Sequence, residues 1–237
     1  FMSGLTAAAL PVASPAAAGL LGVPFLNSFA GGVEFAWGGD EATGAEPPSI
    51  TFYGDAAGTD ALRGEMCAVP ITQLGAVEGS EARSNLPCVR INVNGVSMRA
   101  LLDTGSPITV LNAAAAKAAG VAYDASLAAD PAAGNPFESF KARMKAGNAA
   151  ANGEVLIVGG ADGPVRLVKS AGDVTICAGA EEWGVPFGDD CKVYVGELPG
   201  LAALAGLGAE AGPAVVLGTD TLRKRERMWY TPDAVYV

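Results

Sequence analysis

Asp103, Thr104, Gly105 and Ser106 stand directly after the apolar run Ala100-Leu101-Leu102 and directly before Pro107. An acid at the end of an apolar strand, followed by Thr-Gly, puts a carboxylate on a tight turn. The glycine lets backbone N–H groups approach that carboxylate, and the threonine hydroxyl can brace a symmetry-related copy. Carboxylate chemistry is also what the composition leaves open. The chain has 237 residues and no histidine, which removes Ser-His-Asp and Cys-His nucleophiles, HExxH zinc sites and imidazole proton shuttles. Two carboxylates that share one proton can act as acid and base on a water molecule. Asp103 supplies one of them, so a second must come from another copy of the chain or from another aspartate. The intrachain candidate is Asp220 in Leu217-Gly218-Thr219-Asp220-Thr221-Leu222, but no glycine follows its threonine. A site needs geometry as well as residue type, and Asp220 is therefore read as structural.

The other reactive side chains are scattered. Cys67, Cys88, Cys177 and Cys191 admit three disulfide pairings. Cys177 with Cys191 would bridge an acidic, glycine-containing loop, and Cys67 with Cys88 would tie the acidic region to the first strand of the lobe. Free buried thiols are the equally weighted alternative. No CxxC motif occurs, and neither a metal nor a cofactor is expected. Arg223-Lys224-Arg225-Glu226-Arg227 is the one basic cluster. It reads as a solvated turn between the last strands, or as a contact for an acidic surface or lipid headgroups. Gly206, Gly208 and Gly212 lack the spacing and the leading strand of a dinucleotide fingerprint. Trp37, Trp183 and Trp229 are too dispersed for a cofactor box and suit core or interface anchoring.

Charge divides the chain. Its net charge is −10, and up to Ala82 nine acids face one base, Arg63. From Arg83 onward 14 bases face 16 acids. An acidic chain lacks the basic face that phosphate backbones need, so nucleic acid is not an expected partner. Phe1–Val33 carries no charge and has neither the positive start of a secretory signal nor the arginines of a transit peptide. Pro11, Pro15 and Pro24 interrupt any membrane-spanning helix. Ordering such an arm of about 33 residues costs on the order of 30 kcal/mol. At ~25 cal/mol per Å² that asks for about 1,200 Å² of apolar burial, an area typical of interfaces. The arm is thus expected to lie on its own domain or on a partner.

The elements that position Asp103 follow from periodicity and turns. Ser49–Tyr53 reads as a strand, and Cys67–Leu74 as an extended segment kept to an edge by Pro70. Cys88–Val93, Asn94-Gly95 and Val96–Leu102 read as a hairpin. Asn112 can cap a helix over Ala113–Ala119 closed by Gly120. Tyr123–Ala151 reads as a polar, alanine-rich insertion anchored by Phe137 and Phe140. A flap-like hairpin spans Val155–Val168, and strands follow at Val174–Cys177 and Lys192–Val195. A helix near Pro199–Leu207 precedes the strand Ala214–Leu217, and Arg227–Tyr230 with Ala234–Val237 end the chain.

The segment VNGVSMRALLDTGSPITVL resembles the active-site loop of retropepsin-like aspartic proteases, and AVVLGTDTL (Ala214–Leu222) resembles the family's late signature, whose apolar-Gly stretch packs beneath that loop. VYVGELPGLAAL resembles plant and algal members. The resemblance covers roughly Asn85–Val237. It implies a mainly β, barrel-type lobe with short helices over 84–237 and leaves the residues before it unexplained; charge and composition divide those into an apolar arm and linker over 1–48 and an acidic extension over 49–83. It implies Asp103, Thr104 and Gly105 as the catalytic turn of a homodimeric endopeptidase, if the chain is active as a dimer. The intact lobe joined to an uncharged arm suggests an accessory subunit without catalysis, docked through residues 1–48 on a larger protein complex. The plant and algal resemblance places that complex in the plastid, peripheral to the thylakoid membrane, with a photosystem as the most specific expectation.

Overall fold

The computed structural model describes residues 21–38, 47–64, 66–74, 84–128, 136–160, 163–179, 184–198 and 212–237. The N-terminal part contains α1 (Val23–Leu26), β1 (Gly32–Ala36), β2 (Ser49–Tyr53), α2 (Thr59–Arg63), β3 (Ala68–Pro70) and β4 (Thr72–Leu74). The lobe begins with β5 (Ser84–Val93), β6 (Val96–Leu102), β7 (Val110–Leu111), α3 (Ala113–Ala118), a 3-10 turn at Ala125–Leu127 and α4 (Pro136–Ala151). It continues through β8 (Val155–Gly160), β9 (Gly163–Lys169), β10 (Val174–Ala178), β11 (Val185–Cys191) and β12 (Tyr194–Val195). It ends with β13 (Ala214–Leu217), α5 (Thr219–Leu222), β14 (Arg227–Tyr230) and β15 (Ala234–Tyr236). The chain is mainly β.

The larger sheet runs β11-β10-β5-β6-β13-β7-β12-β9-β8, with β4 also paired to β5. Among the described residues its two ends do not meet, so the barrel-type expectation gives way to an open sheet. Its hairpin β5–β6 turns at Asn94 (φ 47°) and Gly95 (φ 85°), the positive angles a two-residue Asn-Gly connection requires. β13 is inserted between β6, to which it is parallel, and β7, to which it is antiparallel. All four residues of β13 are buried, as suits a strand with neighbours on both edges and no solvent face.

The smaller sheet, β2-β1-β14-β15-β3, joins strands from both ends of the sequence. Trp229 on β14 is fully buried; it stacks on Tyr53 at 4.3 Å and donates its indole N–H to the Gly31 carbonyl at 2.9 Å. Val33, Phe35 and Val69 join Met228, Tyr230 and Val235 in the main core cluster. Residues 32–36, part of the 1–48 arm and linker expected to lie on its own domain or on a partner, therefore pack on the chain's own lobe. Pro70 does stand on an edge strand, β3.

Three elements depart from the sequence reading. The Tyr123–Ala151 insertion contains a 16-residue helix, α4. The second half of the acidic segment between Cys177 and Cys191 is strand β11 (Val185–Cys191), at the end of the larger sheet. The Arg223–Arg227 run leads from α5 into β14 rather than joining the last two strands. The four cysteines are free thiols, Cys67 exposed and the others buried, so neither bridge forms. Residues 199–207, 206–208, Trp183 and the tip of the β8–β9 hairpin lie outside the described residues, as do the side chains of Phe137 and Phe140.

Candidate active site

Asp103 is the first residue beyond β6 and the connection 103–109 carries the chain from β6 to β7. Because β13 lies between those two strands, this connection must cross over the end of β13. Gly218, just past β13, is the crossing point. A Cβ there would lie 2.2 Å from the Ile108 carbonyl oxygen, a separation no side chain tolerates. The Asp103 N–H donates to the Leu217 carbonyl at 3.1 Å, and the Thr219 N–H donates to the Ser106 carbonyl at 2.9 Å. The turn is thus fastened to β13 and α5 on both sides.

Within the turn, Asp103 Oδ1 accepts the Gly105 N–H at 2.9 Å, and the Ser106 N–H donates to the Asp103 carbonyl at 3.2 Å. Ser106 Oγ donates to the Ile108 carbonyl at 2.7 Å. Asp103 and Thr104 are half-buried and Gly105 is exposed. The three residues expected to form a catalytic turn do form one turn.

Asp220 serves a different purpose. Its Oδ1 accepts the Thr109 hydroxyl at 2.7 Å and the Thr221 N–H at 2.7 Å, and its Oδ2 accepts the Thr109 N–H at 3.0 Å. Thr109 Oγ1 also contacts Thr221 Oγ1 at 2.8 Å and accepts the Gly218 N–H at 3.1 Å. Asp220 is a clamp that closes the connection 103–109 onto α5. The structural reading of Asp220 holds. Thr109, which the sequence reading passed over, is the other half of the clamp. The sequence signal that points to it is a lone threonine inside the apolar run Ile108–Leu111, and in the fold that threonine is fully buried.

Asn112 supports the same region from β7. Its N-cap role is as expected, Oδ1 accepting the Ala115 N–H at 2.8 Å. That oxygen also accepts the Ala214 N–H at 3.1 Å, and Nδ2 donates to the Gly212 carbonyl at 2.9 Å. One side chain thereby starts α3 and sets β13 beneath the Asp103 turn.

Such a β-turn, fastened by a later apolar-Gly strand, is the site a family comparison must account for. Residues 89–166 match the family described as Aspartyl protease. The chain carries an aspartyl-protease-like domain. The matched span contains the second half of β5, β6, the Asp103 turn and Thr109. No curated protein matches the chain.

The aspartyl-protease-like turn opens onto a cleft of about 270 Å³. Asp103, Thr104 and Gly105 form one part of its lining, and Leu21, Val23 and Leu26 of the α1 region form another, with Phe35, Met228 and Tyr230 from the smaller sheet. Tyr230 donates its hydroxyl to Asn27 Oδ1 at 2.7 Å, and burial raises its pKa. Among the described lining residues Asp103 is the single acid. One carboxylate in an apolar cleft can accept a hydrogen bond or hold a proton. Acid–base work on water needs a second carboxylate beside it. Among the described residues no cluster of three or more metal-ligating side chains occurs.

Proposed function

We propose that this chain is an accessory subunit, with its aspartyl-protease-like domain acting as a scaffold rather than as a peptidase. The observation that carries the reading is the cleft at Asp103, which the chain's own α1 region helps to wall and in which Asp103 has no second acid among the described residues. The Asp103 turn then serves as a hydrogen-bonded corner of the fold, since a fold and its site chemistry can part company. In this proposal the arm and linker over residues 1–48, apart from β1 packed on the lobe, carry the contact to a larger protein complex. The finer assignment is a plastid membrane complex such as a photosystem, with the chain peripheral to the thylakoid; its support is the resemblance of VYVGELPGLAAL to plant and algal relatives.

The test pairs two measurements. Purified chain is assayed for peptide cleavage at acidic pH across a concentration series, and Asp103→Asn is expressed in place of the wild type. The scaffold reading expects no cleavage, and co-migration of the variant with its complex on native gels equal to that of the wild type. Cleavage that rises with concentration and vanishes in Asp103→Asn overturns it.

That outcome would establish the second reading, a homodimeric aspartic endopeptidase with paired Asp103 carboxylates. It is favoured by one specific observation: the turn keeps its internal Asp103–Gly105 hydrogen bond and leaves Gly105 exposed to an approaching copy.

A further inference from the structure

The basic run after α5 does not stand alone in space. Lys224, Arg225, Glu226 and Arg227 line a surface cleft of about 550 Å³ together with Arg63, Met66 and Val237. Four of these side chains are cations and one is an acid, on a chain whose net charge is −10. Arg63 reaches the cleft from α2, at the far end of the sequence. Its side chain is 13 % exposed, and its guanidinium lies 4.4 Å from the centroid of the Tyr236 ring and 5.8 Å from that of Trp229. Stacking of this kind fixes a guanidinium while leaving its edge donors available.

The other three cations are also held in position. Lys224 pairs with Asp190, and that partner raises the lysine's pKa, keeping the ammonium charged. Arg227 pairs with Glu34 at 3.2 Å, and Arg225 donates to the Pro186 carbonyl at 3.3 Å. Arg63 also pairs with Asp60. None of these three carboxylates lines the cleft. A guanidinium carries five N–H donors, so contacts made from outside leave donors for a ligand inside.

We propose that this cleft binds a compact, multiply charged anion carrying two or more phosphate groups. Its volume is that of a small-molecule site, and three guanidiniums with one ammonium offer forked donors to phosphate oxygens from several directions. An acidic peptide would instead need an extended basic track. The site is separate from Asp103 and does not depend on the function proposed for that residue.

Titration calorimetry with inorganic pyrophosphate tests the proposal on the full chain, beside flotation with phosphatidylcholine vesicles with and without a bisphosphorylated phosphoinositide. Binding by either probe is expected, weakening as salt rises. Binding by pyrophosphate assigns a soluble ligand, and binding only by the phosphoinositide vesicles assigns a headgroup. In either case Arg225→Gln is expected to weaken binding by at least about tenfold, the value of one charge-assisted contact. Arg63→Gln should weaken it similarly; because Arg63 also packs on aromatic rings, Arg225→Gln is the deciding variant if Arg63→Gln unfolds. Absence of binding by both probes, equal binding by wild type and Arg225→Gln, or tighter binding of polyglutamate overturns the proposal.

Discussion

Asp103 and Asp220 stand at the same end of two neighbouring parallel strands, β6 and β13, whose last residues Leu102 and Leu217 are register partners. Each is flanked by a threonine, and each looks from sequence like half of a carboxylate pair. Their surroundings make them opposites. Asp220 accepts three hydrogen bonds, two of them from Thr109 across more than a hundred residues of chain. Asp103 has a single side-chain hydrogen bond among the described residues, from a glycine two positions on. The donors around a carboxylate, more than the motif it sits in, decide whether it holds the fold or stays available for chemistry.

This contrast makes its largest prediction at the clamp. Asp220→Ala leaves the Thr109 N–H and hydroxyl without their carboxylate acceptor, while the Thr221 N–H keeps the Gly218 carbonyl at 3.2 Å; it should cost roughly 3 kcal/mol in urea unfolding. A cost near zero would break the comparison. Gly218→Ala drives a methyl group into the Ile108 carbonyl, 2.2 Å away before relaxation, and should cost about 1–3 kcal/mol by the same measurement.

The undersides of the two turns sharpen the contrast through pH. Cys88 pairs with Leu101 beneath the Asp103 turn, and Cys191 lies beside the Asp220 turn. Burial pushes both thiols up from 9.0 to about 11, and Asp220 adds a smaller upward contribution at Cys191. Between those two values the folded state holds protons that the unfolded state has released. Stability should therefore be complete below pH 9.0 and fall as pH climbs towards about 11. Cys88→Ala should flatten part of that slope in denaturant melts run across the interval. Native-state thiol titration should meanwhile find Cys67 reacting first, being the exposed thiol. The smallest effect belongs to Asp103→Asn, which keeps an oxygen for the Gly105 N–H and should change stability by less than about 0.5 kcal/mol.

Much of the site was legible because turns and caps carry strong local rules. Asn94-Gly95 announces its hairpin, Asn112 its helix, and the missing glycine after Thr221 separates Asp220 from a catalytic turn. What escaped lacks such rules. The helix α4 is alanine-rich and polar, and Phe137, Phe140 and Met144, though at helical spacing, are too few over 16 residues to announce it. β11 contains Pro186, Gly188 and two aspartates, poor strand residues that an edge position tolerates. β1 (GVEFA) lies inside a stretch dominated by alanine and glycine, and its place is set by β14 almost two hundred residues later. Arg63 escaped for the same reason: the cations it joins are close only in space.

That long-range pairing has a consequence for how the chain is made. β1 finds its neighbour β14, and β3 its neighbour β15, only after nearly all the intervening residues have left the ribosome. Contacts of such high sequence separation form late and slowly. Until then Val33 and Phe35, which β14 and the core bury in the finished fold, wait on a nascent chain with nothing to close over them, which makes this stretch a natural client for a chaperone during synthesis.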